Sequence, residues 1–231
     1  MSVDLEGESP SPVQFLGQEV LENIRWDILK GTFEPNTKLP FALLQSRYGL
    51  SIGTIREALS HLVSDRLVHL DAGRGFRVAP VSKADLIEIS ELRVDFEKRA
   101  LESAMSHGDE RWEVKIISAF DLLEKMERSP LSDRLTQPGR WNRLHREFHA
   151  ALVSACRSRW LLQFRALLFD QADRYRLRAQ LHQPTGSSRD GEHRAIMDAV
   201  LARDAVRAVV LAEQHIRSTV DELLRYEPQL Q

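Results

Sequence analysis

The sequence predicts a mostly α-helical chain in two parts: a small helix-turn-helix head with a two-strand wing, then an all-helical bundle of about six helices. Three observations predict it. First, Ser51 follows the Gly49 turn and opens the short helical run Ile52-Gly53-Thr54-Ile55-Arg56-Glu57-Ala58-Leu59. Second, that run is followed by Leu67-Val68-His69-Leu70 and Gly75-Phe76-Arg77-Val78, two short strand-like stretches around the glycine-flanked Arg74. Third, from residue 83 onward the apolar residues recur with helical spacing and no strand pattern interrupts them.

The elements follow in order. Residues 1–12 are acidic, polar and end in Pro10-Ser11-Pro12, which reads as a disordered tail. Residues 13–79 form the head. Its first helix is expected from Phe15 to Lys30, because Leu16, Val20, Ile24 and Ile28 share a face and Gly31 stops it. Pro40 starts a second helix that ends near Tyr48, and the Ser51-capped third helix runs to about Asp65. Ala79-Pro80-Val81 is the linker into residues 80–231, and Ser82-Lys83-Ala84-Asp85 resembles a capping box. Helical periodicity then spans 83–107, 110–128, 140–156, 158–181, 189–202 and 203–226. Breaks fall at Gly108, Ser129-Pro130, Pro138-Gly139, 183–188 and the Arg203-Asp204 corner.

Composition narrows the class. The chain has 231 residues, 42% hydrophobic and 29% charged, enough for one large or two modest cores. Cys156 is the single cysteine, so no internal disulfide can form. No apolar run approaches the ~20 residues of a membrane helix, and the N-terminus has no signal-like apolar segment. A cytoplasmic protein is expected. The net charge of -2 gives nucleic-acid binding no global support, so any such contact must come from a local face.

The head offers such a face. Ile55, Leu59 and Leu62 point to the core at i, i+4 and i+7, while Gly53, Arg56, Glu57 and Ser60 lie opposite. Ser51, Gly53, Thr54, Arg56 and Ser60 are the candidate contacts of a helix laid in the major groove. Gly53 allows close backbone approach, and Arg56 reaches guanine or phosphate. Arg74 at the wing tip suits the minor groove or the backbone, and Lys38 and Arg47 suit flanking phosphates. Residues 15–80 hold eight basic and seven acidic residues, so the order of elements carries this reading and the charge does not. One head reads only a half-site. A homodimer on a palindromic double-stranded operator is therefore expected, with Leu122, Leu123 and Met126 as outer apolar positions.

The second half carries histidines at ligand spacing. His145 and His149 are i, i+4 on one helix. His193 and His215 lie roughly 15 and 18 Å from the corner between their helices, hence at similar height. Such a group suits a transition metal, Zn²⁺ first and Ni²⁺ second. Leu86, Ile89, Arg93, Phe96 and Ala100 form a stripe in which Arg93 is the one charge. A guanidinium facing a bundle interior needs an anion, either an internal partner such as Glu97 or Asp170, or the carboxylate of a small organic acid. Arg174, Tyr175 and Arg176 are further effector-site candidates.

The chain also resembles a known family. Ile28-Leu29-Lys30-Gly31-Thr32-Phe33-Glu34-Pro35, Ile55-Arg56-Glu57-Ala58-Leu59 and Gly73-Arg74-Gly75-Phe76-Arg77-Val78 look like the GntR regulator head. Glu91-Leu92-Arg93, Phe148-His149-Ala150-Ala151-Leu152, Arg174-Tyr175-Arg176, Glu192-His193 and Gln214-His215 look like the FCD effector domain of the FadR branch, in its shorter VanR-type layout. The resemblance implies a transcriptional regulator, not an enzyme, with a metal held by one aspartate and three histidines and with Arg93 as a ligand-binding arginine. Here His145 stands where the aspartate is expected, and Ile52 and Gly53 stand where arginine and threonine are usual. Leu44 to Tyr48, Trp141 to His149 and Leu161 to Arg165 look most like CsiR-type repressors of glutarate and related C5 dicarboxylate catabolism, which implies a dicarboxylate effector. Two other classes would use parts of the pattern: a metal-dependent hydrolase, for which Glu147 lies on the wrong face to act as base, and a metabolite sensor that does not bind DNA.

Overall fold

The computed structural model describes residues 12–130, 138–182 and 191–226; all of the expected tail but Pro12 lies outside them. In chain order the elements are α1 (Pro12–Leu29), α2 (Phe41–Tyr48), α3 (Ile52–Ser64), β1 (Val68–Asp71), β2 (Gly75–Val78), α4 (Lys83–His107), α5 (Glu110–Glu127), α6 (Pro138–Leu152), α7 (Arg159–His182), α8 (Glu192–Leu201) and α9 (Ala205–Tyr226). The chain separates into two compact units, Met1–Pro80 and Val81–Gln231.

In the first unit α3 packs on α1 and α2. Ile24, Leu44, Ile55, Leu59, Leu62 and Leu67 are all fully buried between them. Gly49 ends α2 at φ 71°, a left-handed conformation that costs glycine nothing, and its N–H donates to the Gln45 carbonyl at 2.8 Å. The Ser51 hydroxyl caps α3 by accepting the Thr54 N–H at 3.2 Å. In the wing Val68 faces Val78 and Asp71 faces Gly75. Its tip closes through the Arg74 N–H on the Asp71 carbonyl, 2.8 Å. The wing also gains a third member. Lys38 bridges Arg77, and the Leu39 N–H donates to the Phe76 carbonyl at 2.9 Å. Residues 36–39 are too short and too polar to show strand alternation, so only the tertiary pairing reveals them.

A buried carboxylate ties this unit together. Asp27 is 4% exposed and accepts from Arg47 Nε and Tyr48 Oη at 2.6 Å each, with Lys30 Nζ at 2.7 Å. Burial alone would raise its pKa; the bonds from Arg47, Lys30 and Tyr48 outweigh burial and hold it at about 2, below the ordinary 3.8. A depressed carboxyl stabilises above its unfolded pKa and loses that contribution as pH falls through the folded one. Full-chain unfolding at fixed temperature is expected to show an acid step of about 1–2 kcal/mol between pH 4 and pH 2 that is missing from Asp27→Asn. An identical step in the variant would show that other groups produce it.

The second unit is all helical in its described residues. The core joins Trp112, Ile116 and Phe120 of α5 to Phe148 of α6 and Ile196 and Val200 of α8. A smaller cluster joins Leu86 and Ile89 of α4 to Ala172 and Tyr175 of α7 and Leu223 of α9. Two expected outer positions are corrected here: Leu123 and Met126 are 0% and 7% exposed, because Trp112, Ile116 and Phe120 set the phase of α5 and carry them inward. Leu122 remains outside, 48% exposed, as are Val114 and Ile117 on the same helix. Pro138 opens α6 instead of separating it from what precedes, as a residue without an N–H can do in a first turn. The same helix stops at Leu152, short of the expected 156, and tight turns through Val153 carry the chain on. At the start of α4 the capping box is only half formed. Ser82 Oγ accepts the Asp85 N–H at 3.1 Å, but the Asp85 carboxylate takes the Tyr175 hydroxyl at 2.5 Å, and that hydroxyl accepts the Ser82 N–H at 3.1 Å. A tyrosine from α7 thus supplies the second half of the cap.

Candidate functional site

The exposed face of α3 carries Ser51, Ile52, Gly53, Arg56 and Ser60, with Thr54 half-buried. Ser51 Oγ and Thr54 Oγ1 are 2.9 Å apart, so both hydroxyls are committed to the helix start. Ser60 Oγ donates to the Arg56 carbonyl at 2.8 Å. A Cβ on Gly53 would meet only Ser51 Oγ at 3.7 Å, so the open surface there is a property of the helix end. Arg56 lies over the Phe41 ring at 5.1 Å, which steadies its stem and leaves the residue exposed. Arg74 is exposed at the wing tip, and Lys38 is exposed beside it in the ladder to Arg77.

Ion pairing sorts the nearly neutral head. Asp27 takes Arg47 and Lys30, Asp65 takes Arg25 at 2.5 Å, and Asp71 approaches Arg77 at 3.6 Å. These acids sit against cations inside the head, while Lys38, Arg56 and Arg74 form no ion pair among the described residues. These three cations therefore remain exposed on the head, with Glu57 the exposed acid beside Arg56 on α3. Arg47, the other phosphate candidate, has its Nε held by Asp27 and its side chain 42% exposed.

The four histidines converge. One nitrogen from each of His145, His149, His193 and His215 lies within 4.8 Å of the others, and all four residues are buried. The sequence explains the convergence only in part. The i, i+4 pair on α6 puts His145 Nε2 and His149 Nε2 at 3.2 Å, and α8 and α9 bring the His193 and His215 rings to 4.8 Å. Two carboxylates orient the second pair: Glu127 Oε1 lies 2.9 Å from His193 Nδ1, and Glu192 Oε2 lies 2.7 Å from His215 Nδ1. With Nδ1 donating outward, Nε2 keeps its lone pair toward the cluster. Burial first, then neighbouring charges, hold His145 and His149 well below the usual histidine pKa; after burial Arg176 acts most on His145 and His215 most on His149. Neutral imidazoles are the form that binds metal.

The cluster fits a transition metal on its own chemistry. His193 Nε2 is buried without a hydrogen-bond partner, which is costly unless something else receives its lone pair. His145 Nε2 and His149 Nε2 face each other at a distance at which they can share either one proton or one cation. A cation among the four would receive the His193 lone pair. Glu127 and Glu192 carry no sequence signal that marks them as orienting residues, because nothing along the chain shows which imidazole each will face.

A cavity adjoins the cluster. His145 and His215 line one part, Arg93 and Ser90 another, and Leu86, Val220 and Leu223 an apolar part. Arg93 stacks on Phe169 at 4.8 Å, and burial lowers its pKa to about 10 despite the field of Glu97. Neither internal partner weighed for it forms a contact ion pair: Glu97 holds Arg165 and Asp170 holds Arg146. Arg174 and Tyr175 do not line this cavity. Burial lowers the pKa of Arg174, and its guanidinium lies 5.6 Å over the Tyr175 ring. Tyr175 is engaged at the α4 cap, where burial and then Asp85 raise it to about 12. Of the three candidates on α7 it is Arg176 that reaches the cavity, with Asp173 beside it, because these two lie on a neighbouring face of the helix. Of the remaining histidines, His61 and His107 are exposed, His69 is half-buried, and the side chain of His182 lies outside the described residues.

Two family models match the chain. That of bacterial regulatory proteins of the gntR family covers residues 16–78, and that of the FCD domain covers residues 88–218. The chain is 38% identical over 207 residues to the HTH-type transcriptional repressor GlaR of Escherichia coli, covering 87% of this chain and 93% of that one. It is 35% identical over 221 residues to the HTH-type transcriptional regulator BphR of Paraburkholderia xenovorans, covering 94% and 90%. The solved structure of E. coli McbR/YncC has the same fold, with a TM-score of 0.74 at 19% identity over 91% of this chain and 97% of that one.

Proposed function

Because this chain belongs to the gntR family of bacterial regulatory proteins and carries an FCD domain, which makes it a transcriptional regulator of that type, we propose that it is a repressor released from its operator by a small organic acid of the C5 dicarboxylate kind. The observation that carries the effector half is the convergence of four buried imidazoles beside a cavity that Arg93 lines without an ion-pair partner among the described residues. A relative named as a repressor supports the sign of regulation.

The residues divide the work as follows. Arg56 on α3 reads base edges, and Ile52, 44% exposed at the first position of that helix, presents an apolar face suited to a thymine methyl. Arg74 and Lys38 hold backbone phosphates. His145, His149, His193 and His215 would hold one metal ion, which supplies a Lewis-acid point for one oxygen of the acid; an all-imidazole set favours Zn²⁺, then Ni²⁺, over harder ions. Arg93 receives a carboxylate at the other end. The working unit is a homodimer in the cytoplasm on a palindromic operator, its half-sites about one helical turn apart. Light scattering that finds only monomer, free and on DNA, would remove this last part. A hydrolytic reading has less support: Glu147 is exposed, and Glu127 and Glu192 face the outer nitrogens of His193 and His215. No helix among the described residues is long and apolar enough to cross a membrane.

The test is a mobility shift on the promoter region of the protein's own gene, with and without dicarboxylates. The parent is expected to bind and to release on addition of the acid. Arg56→Ala is expected to lose about 1–3 kcal/mol of operator binding and some base preference, and Arg74→Ala to weaken all sequences alike. An Arg56→Ala protein as tight as the parent at equal salt would reject α3 as the reading helix. Release that survives Arg93→Ala would reject the effector site.

A further inference from the structure

The cavity holds a second arginine that the reading above does not use. Arg176, 8% exposed, lies on α7 seven residues beyond Phe169, roughly 10 Å along the helix from the ring that carries Arg93. Its guanidinium lies 4.6 Å over the Trp141 ring, and Trp141 in turn stacks on His145 at 4.8 Å. The two cations therefore enter the same cavity at different levels, Arg93 beside Phe169 and Arg176 beside His145.

Their donors are only partly used. Arg165, the neighbouring buried cation, meets Glu97 with two bonds of 2.7 and 2.9 Å and gives a third to the His149 carbonyl. Arg176 is held on one edge only. Nε and Nη2 donate to Asp173 Oδ1 at 3.1 and 2.8 Å, and Nη2 also meets Asn142 Oδ1. Its Nη1 is buried with no hydrogen-bond partner. A charged donor left bare on a cavity wall is costly unless a ligand covers it. Asp173 and Asn142 fix the rest of the guanidinium, so the bare group is held in place before any ligand arrives.

We propose that Arg176 makes the group bound at the imidazole end an acid group, so that the cavity selects a diacid with one carboxylate at Arg93 and the other against Arg176 Nη1. Asp173 already balances the charge of Arg176, so what the ligand must supply is an acceptor for Nη1; a carboxylate meets that donor with a charge-assisted bond on both sides, which a hydroxyl or amide does not. This inference rests on the effector reading above and makes it narrower: Arg176 is a specificity residue that discriminates between acids of the same length.

Calorimetric titration of the full chain, with its metal as purified, tests this with four- to six-carbon α,ω-dicarboxylates, each paired with its own monoamide. The amide keeps the length and shape and removes one charge. For the parent, the best diacid is expected to bind at least about 10-fold tighter than its monoamide, the size of one charge-assisted bond. In Arg176→Gln that ratio should fall to within about 2-fold, with monoamide affinity nearly unchanged. Arg176→Lys, which keeps a cation facing Asp173, should retain most of the ratio and guards against loss of fold in the glutamine variant. A parent that binds diacid and monoamide equally overturns the role of Arg176 and leaves the effector reading standing. So does an Arg176→Gln protein that keeps the parent ratio or loses both ligands alike while Arg176→Lys behaves as parent. A parent that binds neither ligand at millimolar concentration overturns the effector reading itself and this inference with it.

Discussion

Purified without chelators, the parent is expected to carry one transition-metal ion per chain and the His193→Ala/His215→Ala double variant to carry none. The two residues come from α8 and α9, while His145 and His149 come from α6, so one ion would tie three helices, two of which are also linked by the Glu192–His215 contact. Binding to the folded state only adds stability by mass action, about 4 kcal/mol when free metal is a thousand times its Kd. For a chain of this size that is roughly 8–16 °C in melting temperature. Replacing two buried imidazoles by alanine also opens space in the core, so the midpoint alone does not isolate the metal. The discriminating measurement is the response to added metal: the parent's melting temperature rises after chelator treatment and readdition, and the variant's does not. Less than about a tenth of an equivalent of metal, in parent protein that still responds to its acid, would sink the metal site and leave Arg93 and Arg176 as the effector-binding pair.

Arg165→Met should destabilise the bundle strongly. Arg165 and Glu97 are 7% and 6% exposed in their side chains, and they join α7 to α4. Removing the arginine strands a buried carboxylate and frees the His149 carbonyl. Breaking a buried pair in this way costs about 3–5 kcal/mol. Arg93 already lies in the field of Glu97 and can take over part of the pairing, which places the expected value at the lower end. Adding Glu97→Leu should recover most of the loss, since removing both partners leaves no charge uncompensated. Urea denaturation of the single and double variants measures this. A loss below about 1 kcal/mol in the single variant would mean that the pair is not sealed from water. The same variant should weaken metal binding, because the Arg165 bond holds the backbone of a proposed ligand residue.

Much of this protein can be read along the chain. Helix existence, the Ser51 and Ser82 caps, the Gly49 turn and the inward face of α3 depend on residues within one or two turns of each other, where spacing and backbone preference decide the outcome. The His145–His149 pair is local in the same sense. Those features, together with the order of the elements, determine a winged helix-turn-helix head and a helical bundle. What the sequence could not decide involves partners far apart. Leu123 and Met126 face the core because of what lies across from α5. Arg47 is taken up by Asp27 and Tyr175 by Asp85, while Arg176 reaches the cavity that Arg174 does not. Glu127 and Glu192 orient imidazoles 66 and 23 positions away. Periodicity assigns a residue to a face of its own helix but not to a neighbour on another. That choice belongs to the packing of α4 to α9, where the fit of large side chains sets each helix's rotation and so decides which polar groups meet.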